Sequence, residues 1–159
     1  MTDDAWMTEA LAEAVLAEAN DEVPIGAVIV LNGLIIGRGH NRPIFQNDPT
    51  AHAEMIALRD AAQTLNNYRL PGSTLYVTVE PCLMCMGALL QARVRRLVFG
   101  CYDPKAGAAG SLYNVAIDQR LNHQLEVMAG IRADESRGLL QRFFRRKRKT
   151  VTHSEVSEP

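Results

Sequence analysis

The segment PTAHAEMIALRD (49–60) sets His52 two positions before Glu54, and VEPCLMCMGALL (79–90) sets Cys82 three positions before Cys85, directly after Pro81. Imidazole and thiolate are ligands that Zn²⁺ favours in a tetrahedral site, and a catalytic zinc takes three from the protein and keeps the fourth position for water. Cysteines at i and i+3 project from one face of a first helical turn, where the positive end of the helix dipole favours the metal-binding thiolate. Two thiolates and a neutral imidazole also balance the ion's charge. His52, Cys82 and Cys85 are therefore the candidate ligands of one Zn²⁺ per subunit, and the water completing the shell becomes more acidic. Glu54 can reach that water without being a ligand, which makes it the candidate proton shuttle. Two other readings stand beside this one: a CxxC pair can be half of a structural zinc site or a thiol redox pair. Either leaves His52 and Glu54 without a role.

These residues must be positioned by a chain of 159 residues, long enough to bury one substantial core. Residues 1–150 are expected to form a single domain and 151–159 a disordered tail. With 47% hydrophobic and 22% charged residues, the composition is that of an ordinary soluble protein, and no apolar run is long enough to span a membrane. The acidic start lacks the basic and apolar regions of a secretory signal, so a cytoplasmic location is expected. Three cysteines cannot close a disulfide framework, which in a reducing compartment favours metal or redox chemistry. The net charge of −1 conceals a polarity: residues 1–22 hold acids and no Lys or Arg, whereas 137–149 are heavily basic.

Apolar residues at Trp6, Met7, Ala10, Leu11, Ala14 and Val15 predict an amphipathic helix over 5–19. Two β-rich runs, 25–31 and 34–39, meet at Asn32-Gly33, a hairpin signal because both turn residues tolerate positive φ. Thr50 is the expected cap of a helix over 51–65. A strand at 74–79 precedes a helix at 82–92 opened by Pro81. A strand at 94–99, a Gly- and Ala-rich loop, a weaker strand at 124–128 and a basic helix at 132–149 complete the chain. A hairpin followed by alternating helices and strands predicts a three-layer α/β/α domain with a central mixed β-sheet. Both metal segments then open helices that can cross the same sheet face.

HxE followed by PCxxC is the signature of the zinc nucleobase deaminases. The segments GAVIV, NRPI, DPTAHAE, NYRL, TLYVTVEPCLMCMGALL, VFG and GAAGSL extend the likeness over about 6–148. Over that length the chain resembles the bacterial tRNA-specific adenosine deaminases, within the cytidine and deoxycytidylate deaminase superfamily. The resemblance implies a cytidine deaminase-like fold, hydrolytic conversion of the wobble adenosine of a tRNA anticodon to inosine, and a homodimer. Glu54 would then return its proton to the ring nitrogen and the departing amine.

The metal motif alone does not choose the ring, since deaminases of free guanine or cytosine share it. A non-catalytic zinc module that binds RNA is a further alternative. By resemblance, Asn41, Asp103 and Phe144 contact substrate; from the residues alone, Asn41 can equally make a turn before Arg42-Pro43, and Asp103 can simply shape its loop. Lys105, Ser111, Arg145, Arg146 and Arg148 are candidate RNA backbone contacts in an anticodon stem-loop, the basic end of the last helix neutralising phosphates. The same cations could instead form a solvated helix end that favours the dipole. One of Phe143 and Phe144 is expected in the core. Cys101 is expected as a small residue near a strand end and not as a fourth ligand.

Overall fold

The structure, a computed structural model, describes the backbone of residues 1–156 and the side chains of 1–150. In chain order the elements are α1 (Asp3–Ala19), β1 (Gly26–Leu31), β2 (Leu34–His40), α2 (Pro43–Gln46), α3 (Ala53–Leu65), β3 (Thr74–Val79), α4 (Leu83–Gln91), β4 (Arg96–Cys101), a 3₁₀ turn (Val115–Ile117), β5 (Glu126–Met128) and α5 (Ala133–Val156). The strands form one sheet in the order β2-β1-β3-β4-β5. β1 runs antiparallel to β2 and β3, while β3, β4 and β5 are mutually parallel. This is the expected mixed sheet. Among the described residues no helix is long and apolar enough to cross a membrane.

β1 and β3 are buried on both faces because helices cover both sides of the sheet. Ala27 and Ile29, with Leu75, Val77, Leu97 and Phe99, pack under Ala57, Leu58, Met86 and Leu89 of α3 and α4. Val28, Val30, Tyr76 and Val98 meet Trp6, Met7 and Leu11 of α1 and Leu139 of α5 on the opposite face. The sheet is thus the middle of three layers. Truncating a fully buried member such as Leu97 to alanine would cost about 2–5 kcal/mol.

The layer carrying α3 lies unusually close to the sheet. Ala53, Ala57 and Ala61 recur every fourth residue and face Gly37 and Gly39 of β2. A Cβ at Gly39 would lie 2.4 Å from the Ala53 carbonyl oxygen, and one at Gly37 2.4 Å from that of Ala57. Only glycine permits that approach, and it sets the height of the helix whose first turn holds Glu54. The Asn32-Gly33 turn has positive φ at both residues, 51° and 74°, as the hairpin prediction requires.

Several boundaries differ from the sequence expectation for local reasons. α3 begins at Ala53 with His52, not Thr50, as its N-cap. Thr50 is held back by Asp48, whose Oδ1 accepts both its N–H at 2.8 Å and its hydroxyl at 2.7 Å. That Asx turn competes with helix initiation. β4 begins at Arg96 because Val94 N–H still closes α4 on the Leu89 carbonyl. On α1, Val15 is 51% exposed while Glu13 is buried; Glu13 is accommodated by bonds to His40 at 2.9 Å and Arg38 at 3.5 Å. α2 was not expected. α5 continues beyond Lys149 to Val156, and the expected disorder of the tail at 157–159 lies outside the described residues.

Candidate active site

The two metal segments meet because α3 and α4 both begin at the same end of the sheet and lie on the same face. His52 is the N-cap of α3 and Cys82 the N-cap of α4. The Nδ1 of His52 lies 3.6 Å from Cys82 Sγ and 3.5 Å from Cys85 Sγ. All three ligand atoms fall within 4.8 Å of one another. With Zn–S of about 2.3 Å and Zn–N of about 2.0–2.1 Å at tetrahedral angles, the S···N edge should be about 3.6 Å. Both S···N separations therefore match edges of a zinc tetrahedron, and the donors' chemistry fits that ion. Cys101, buried at the end of β4, is not in the group.

The three donors are also electrostatically coupled. The Cys82 thiol is held far below its usual range, to about 4, chiefly by a hydrogen bond from Cys85 and also by one from His52. Cys85 is pushed up by that same bond and by burial, and His52 is raised mainly by its bond to Cys82. Glu54 lies in the first turn of α3 and is only 4% exposed. Burial raises its carboxyl above the ordinary value, while a hydrogen bond from Cys85 and the nearby His52 oppose the shift. A buried carboxyl beside the candidate metal donors is placed to accept and return a proton.

Asn41 is buried, and its amide oxygen accepts the Ala53 N–H at 2.8 Å. It thus caps α3 from a distance, taking the role expected of Thr50, and secures the backbone one residue after His52. With its oxygen occupied, the amide NH₂ is the group left to donate to a ligand.

Glu80 is the residue that sequence reasoning missed. Its carboxylate, 3% exposed, accepts the backbone N–H groups of Asp103 at 3.0 Å, Ala109 at 2.9 Å and Ser111 at 3.0 Å, together with the Ser111 hydroxyl. The loop passes so close that a Cβ at Gly107 would lie 2.2 Å from the carboxyl carbon. Ala108 N–H donates to the Pro81 carbonyl at 2.8 Å, and Cys82 bridges to Gly107. A buried carboxylate needs such partners. The available signal was a glutamate immediately before PC at the end of a β-rich, mostly apolar run.

Other predicted residues are distributed around this centre. Asp103 Oδ1 accepts the N–H groups of Lys105 and Ala106, so it shapes the loop, and it also borders an apolar cleft with Val23, Ile25, Val79 and Phe144. Phe143 is buried and Phe144 is 44% exposed, their rings meeting edge-on at 5.4 Å. Ser111 spends its hydroxyl on Glu80. Lys105 is exposed. Arg145 and Arg148 border a surface recess with Phe144 and Arg137, while Arg146 pairs with Asp21 at 3.4 Å and Lys147 pairs with the same carboxylate.

A three-layer α/β/α fold with a His-Cys-Cys triangle on two helix N-termini and a buried glutamate beside it defines the cytidine deaminase-like class of hydrolases. The family model of MafB19-like deaminases matches residues 1–148. The tRNA-specific adenosine deaminase of Bacillus subtilis is 48% identical over 98% of both chains. That of Haemophilus influenzae is 52% identical over 92% of this chain and 85% of its own. A solved structure from work on A-to-I editing by tRNA:A34 deaminases superposes with a TM-score of 0.83 at 46% identity, covering 86% of this chain and 99% of its own. A guanine deaminase from Nitrosomonas europaea shares the fold at 27% identity and TM-score 0.74, covering 88% of this chain and 83% of its own. The chain belongs to the family of tRNA-specific adenosine deaminases.

Proposed function

We propose that residues 1–150 form one zinc-dependent domain that converts the wobble adenosine of a tRNA anticodon to inosine by hydrolysis, releasing ammonia. The observation that carries the chemistry is the His52-Cys82-Cys85 triangle at zinc edge lengths with buried Glu54 against it. Family membership at 48–52% identity to tRNA-specific adenosine deaminases supports the substrate.

Zn²⁺ held by the three donors supplies the Lewis acidity that makes water a nucleophile at neutral pH. Glu54 takes a proton from the attacking water on a carboxylate oxygen, passes one to the adenine ring nitrogen and assists departure of the amine. The C6–N6 bond breaks, a carbonyl forms at C6 and ammonia leaves. Asn41, its oxygen engaged by Ala53, donates its NH₂ to the base. Its buried position beside α3 fits a base taken out of an anticodon loop, where unpaired bases can be splayed into a pocket.

Phe144, Asp103 and Lys105 line the adjoining cleft and receive neighbouring nucleotides, with Arg145, Arg146 and Arg148 along the backbone path. A free-base deaminase would have no use for that basic surface. Two copies of the chain pair through the apolar surface beside α4. There Leu83 is 50%, Leu112 55%, Tyr113 55% and Ile117 62% exposed, and no atom lies within 4 Å of a Cβ built at Gly87. On α4 itself Met86 and Leu89 face the core and Leu83 faces out.

The test is inosine formation on an anticodon stem-loop with adenosine at the wobble position, beside free adenosine, guanine and cytosine. Turnover of the stem-loop alone is expected. Turnover of a free base alone would refute the substrate assignment and keep the metal chemistry. Sedimentation at the mass of two chains is expected for the pairing.

A further inference from the structure

The turn between Asn41 and His52 holds an exposed aromatic ring in a fixed position. Phe45 is 68% exposed and Ile44 71%, yet both sit on α2, whose backbone is tightly held. The N–H groups of Ile44 and Phe45 donate to the Glu22 carboxylate at 3.1 and 3.0 Å, and Glu22 itself is 1% exposed. Arg42 adds a second anchor: its N–H donates to the Ala51 carbonyl at 3.0 Å, next to the ligand His52. The Arg42 guanidinium carbon lies 4.6 Å from the centroid of the Phe45 ring, so charge and aromatic surface form one stacked unit. Burying a carboxylate is unfavourable unless its bonds are made. Here a buried acid is used to hold outward the two apolar side chains of a one-turn helix, the arrangement of a surface that presents rather than packs.

Resting on the RNA reading above, we infer that Arg42 and Phe45 form a stacking platform for one unpaired nucleobase flanking the target adenosine. An aromatic ring joined to a guanidinium is the combination that takes unpaired bases: the ring face stacks, and the cation adds cation–π attraction and meets the negative backbone. Continuity with the pocket locates the occupant. The turn starts at Asn41 and ends at His52, so a nucleotide adjoining the one held between those residues lies at this rim. Rigidity from Glu22 means that little ordering is needed when the base arrives.

The experiment is equilibrium binding of metal-replete protein to a labelled anticodon stem-loop, repeated with an abasic residue at each loop position flanking the wobble site. Phe45→Ala is expected to weaken binding to the intact loop about tenfold. On one of the abasic loops that penalty should vanish, because the stacking partner is gone, and Phe45→Trp should restore affinity for the intact loop. Equal binding of the wild type and Phe45→Ala, or the same penalty on every abasic loop, overturns the platform. So does a change in sedimentation mass on Phe45→Ala, which would assign this surface to a second copy of the chain. Inosine formation on the same samples separates the two readings. Inosine without any Phe45 effect removes the platform alone, whereas Phe45-dependent binding without inosine removes the deaminase reading and leaves the platform standing.

Discussion

The carboxylate of Glu80 accepts the backbone N–H of Ala109 at 2.9 Å, joining the end of β3 to a loop 29 residues further along the chain. With Asp103 and Ser111 on the same carboxylate, one buried side chain fixes the loop beside the metal donors.

Replacing Glu80 with glutamine exchanges an acceptor oxygen for an NH₂ that faces donors. A loss of about 1–3 kcal/mol of stability is expected, with zinc content unchanged and KM for the stem-loop raised more than kcat is lowered. Gly107→Ala should act similarly, since its Cβ would meet the carboxyl group. Denaturant titration with steady-state kinetics checks both; wild-type KM in the glutamine variant would show that the loop holds without this acceptor.

Glu54→Gln should reduce single-turnover inosine formation by roughly 10²–10⁴-fold while the protein still copurifies with stoichiometric zinc. Stripping zinc with a chelator should abolish turnover and lower the melting temperature, and re-addition should restore both. Metal analysis beside the rate distinguishes a lost proton shuttle from a lost ion.

Asn41 offers a way to separate support from recognition. Asn41→Ala leaves the Ala53 N–H without its partner and should cost about 1 kcal/mol. Asn41→Asp keeps the acceptor for the Ala53 N–H and loses the donor, so activity should fall with the α3 cap retained. If the aspartate variant keeps full activity, the amide NH₂ does not contact the base.

Arg145→Gln with Arg148→Gln should weaken stem-loop binding and flatten its salt dependence, by about 0.7 in the log–log slope for each phosphate contact removed. Arg146→Gln should matter less than Arg145→Gln, because Arg146 pairs with Asp21. Affinities measured across a salt series decide between these residues.

The bidentate pair of Arg96 with Asp3, both bonds at 2.7 Å, ties the start of α1 to β4. The Arg96 bond holds the Asp3 carboxyl below its ordinary 3.8. A depressed carboxylate contributes its full stability above the unfolded-state value and loses it as pH falls through the lower folded value. Asp3→Asn should therefore destabilise by roughly 1 kcal/mol at neutral pH, a partly exposed pair being screened. The difference should begin to shrink as pH drops below about 3.8 and vanish only below the lower folded value. Paired melts from pH 7 to 2 would show it.

The clustering of His52, Cys82 and Cys85 was legible because metal chemistry admits few residue types and both motifs open helices, so spacing alone put their side chains near helix N-termini. The layer order was legible from the hairpin turn and the alternation of apolar runs. Local competition hid the helix boundary at Thr50, where Asp48 captures the hydroxyl that would have capped α3. Glu13 and Val15 exchanged faces because partners for Glu13 come from β2, far away in sequence.

What the sequence alone determined was the candidate chemical set, His52, Glu54, Cys82 and Cys85, in an α/β frame with a basic end. What only the tertiary structure decided was which polar groups hold that chemistry in place. Asn41 caps a helix it does not belong to, Glu22 pins α2 and Glu80 gathers a distant loop. A carboxylate or amide shows nothing in sequence of the backbone N–H it will meet, because that partner is set by how strands and helices pack. Burial then makes each such bond obligatory.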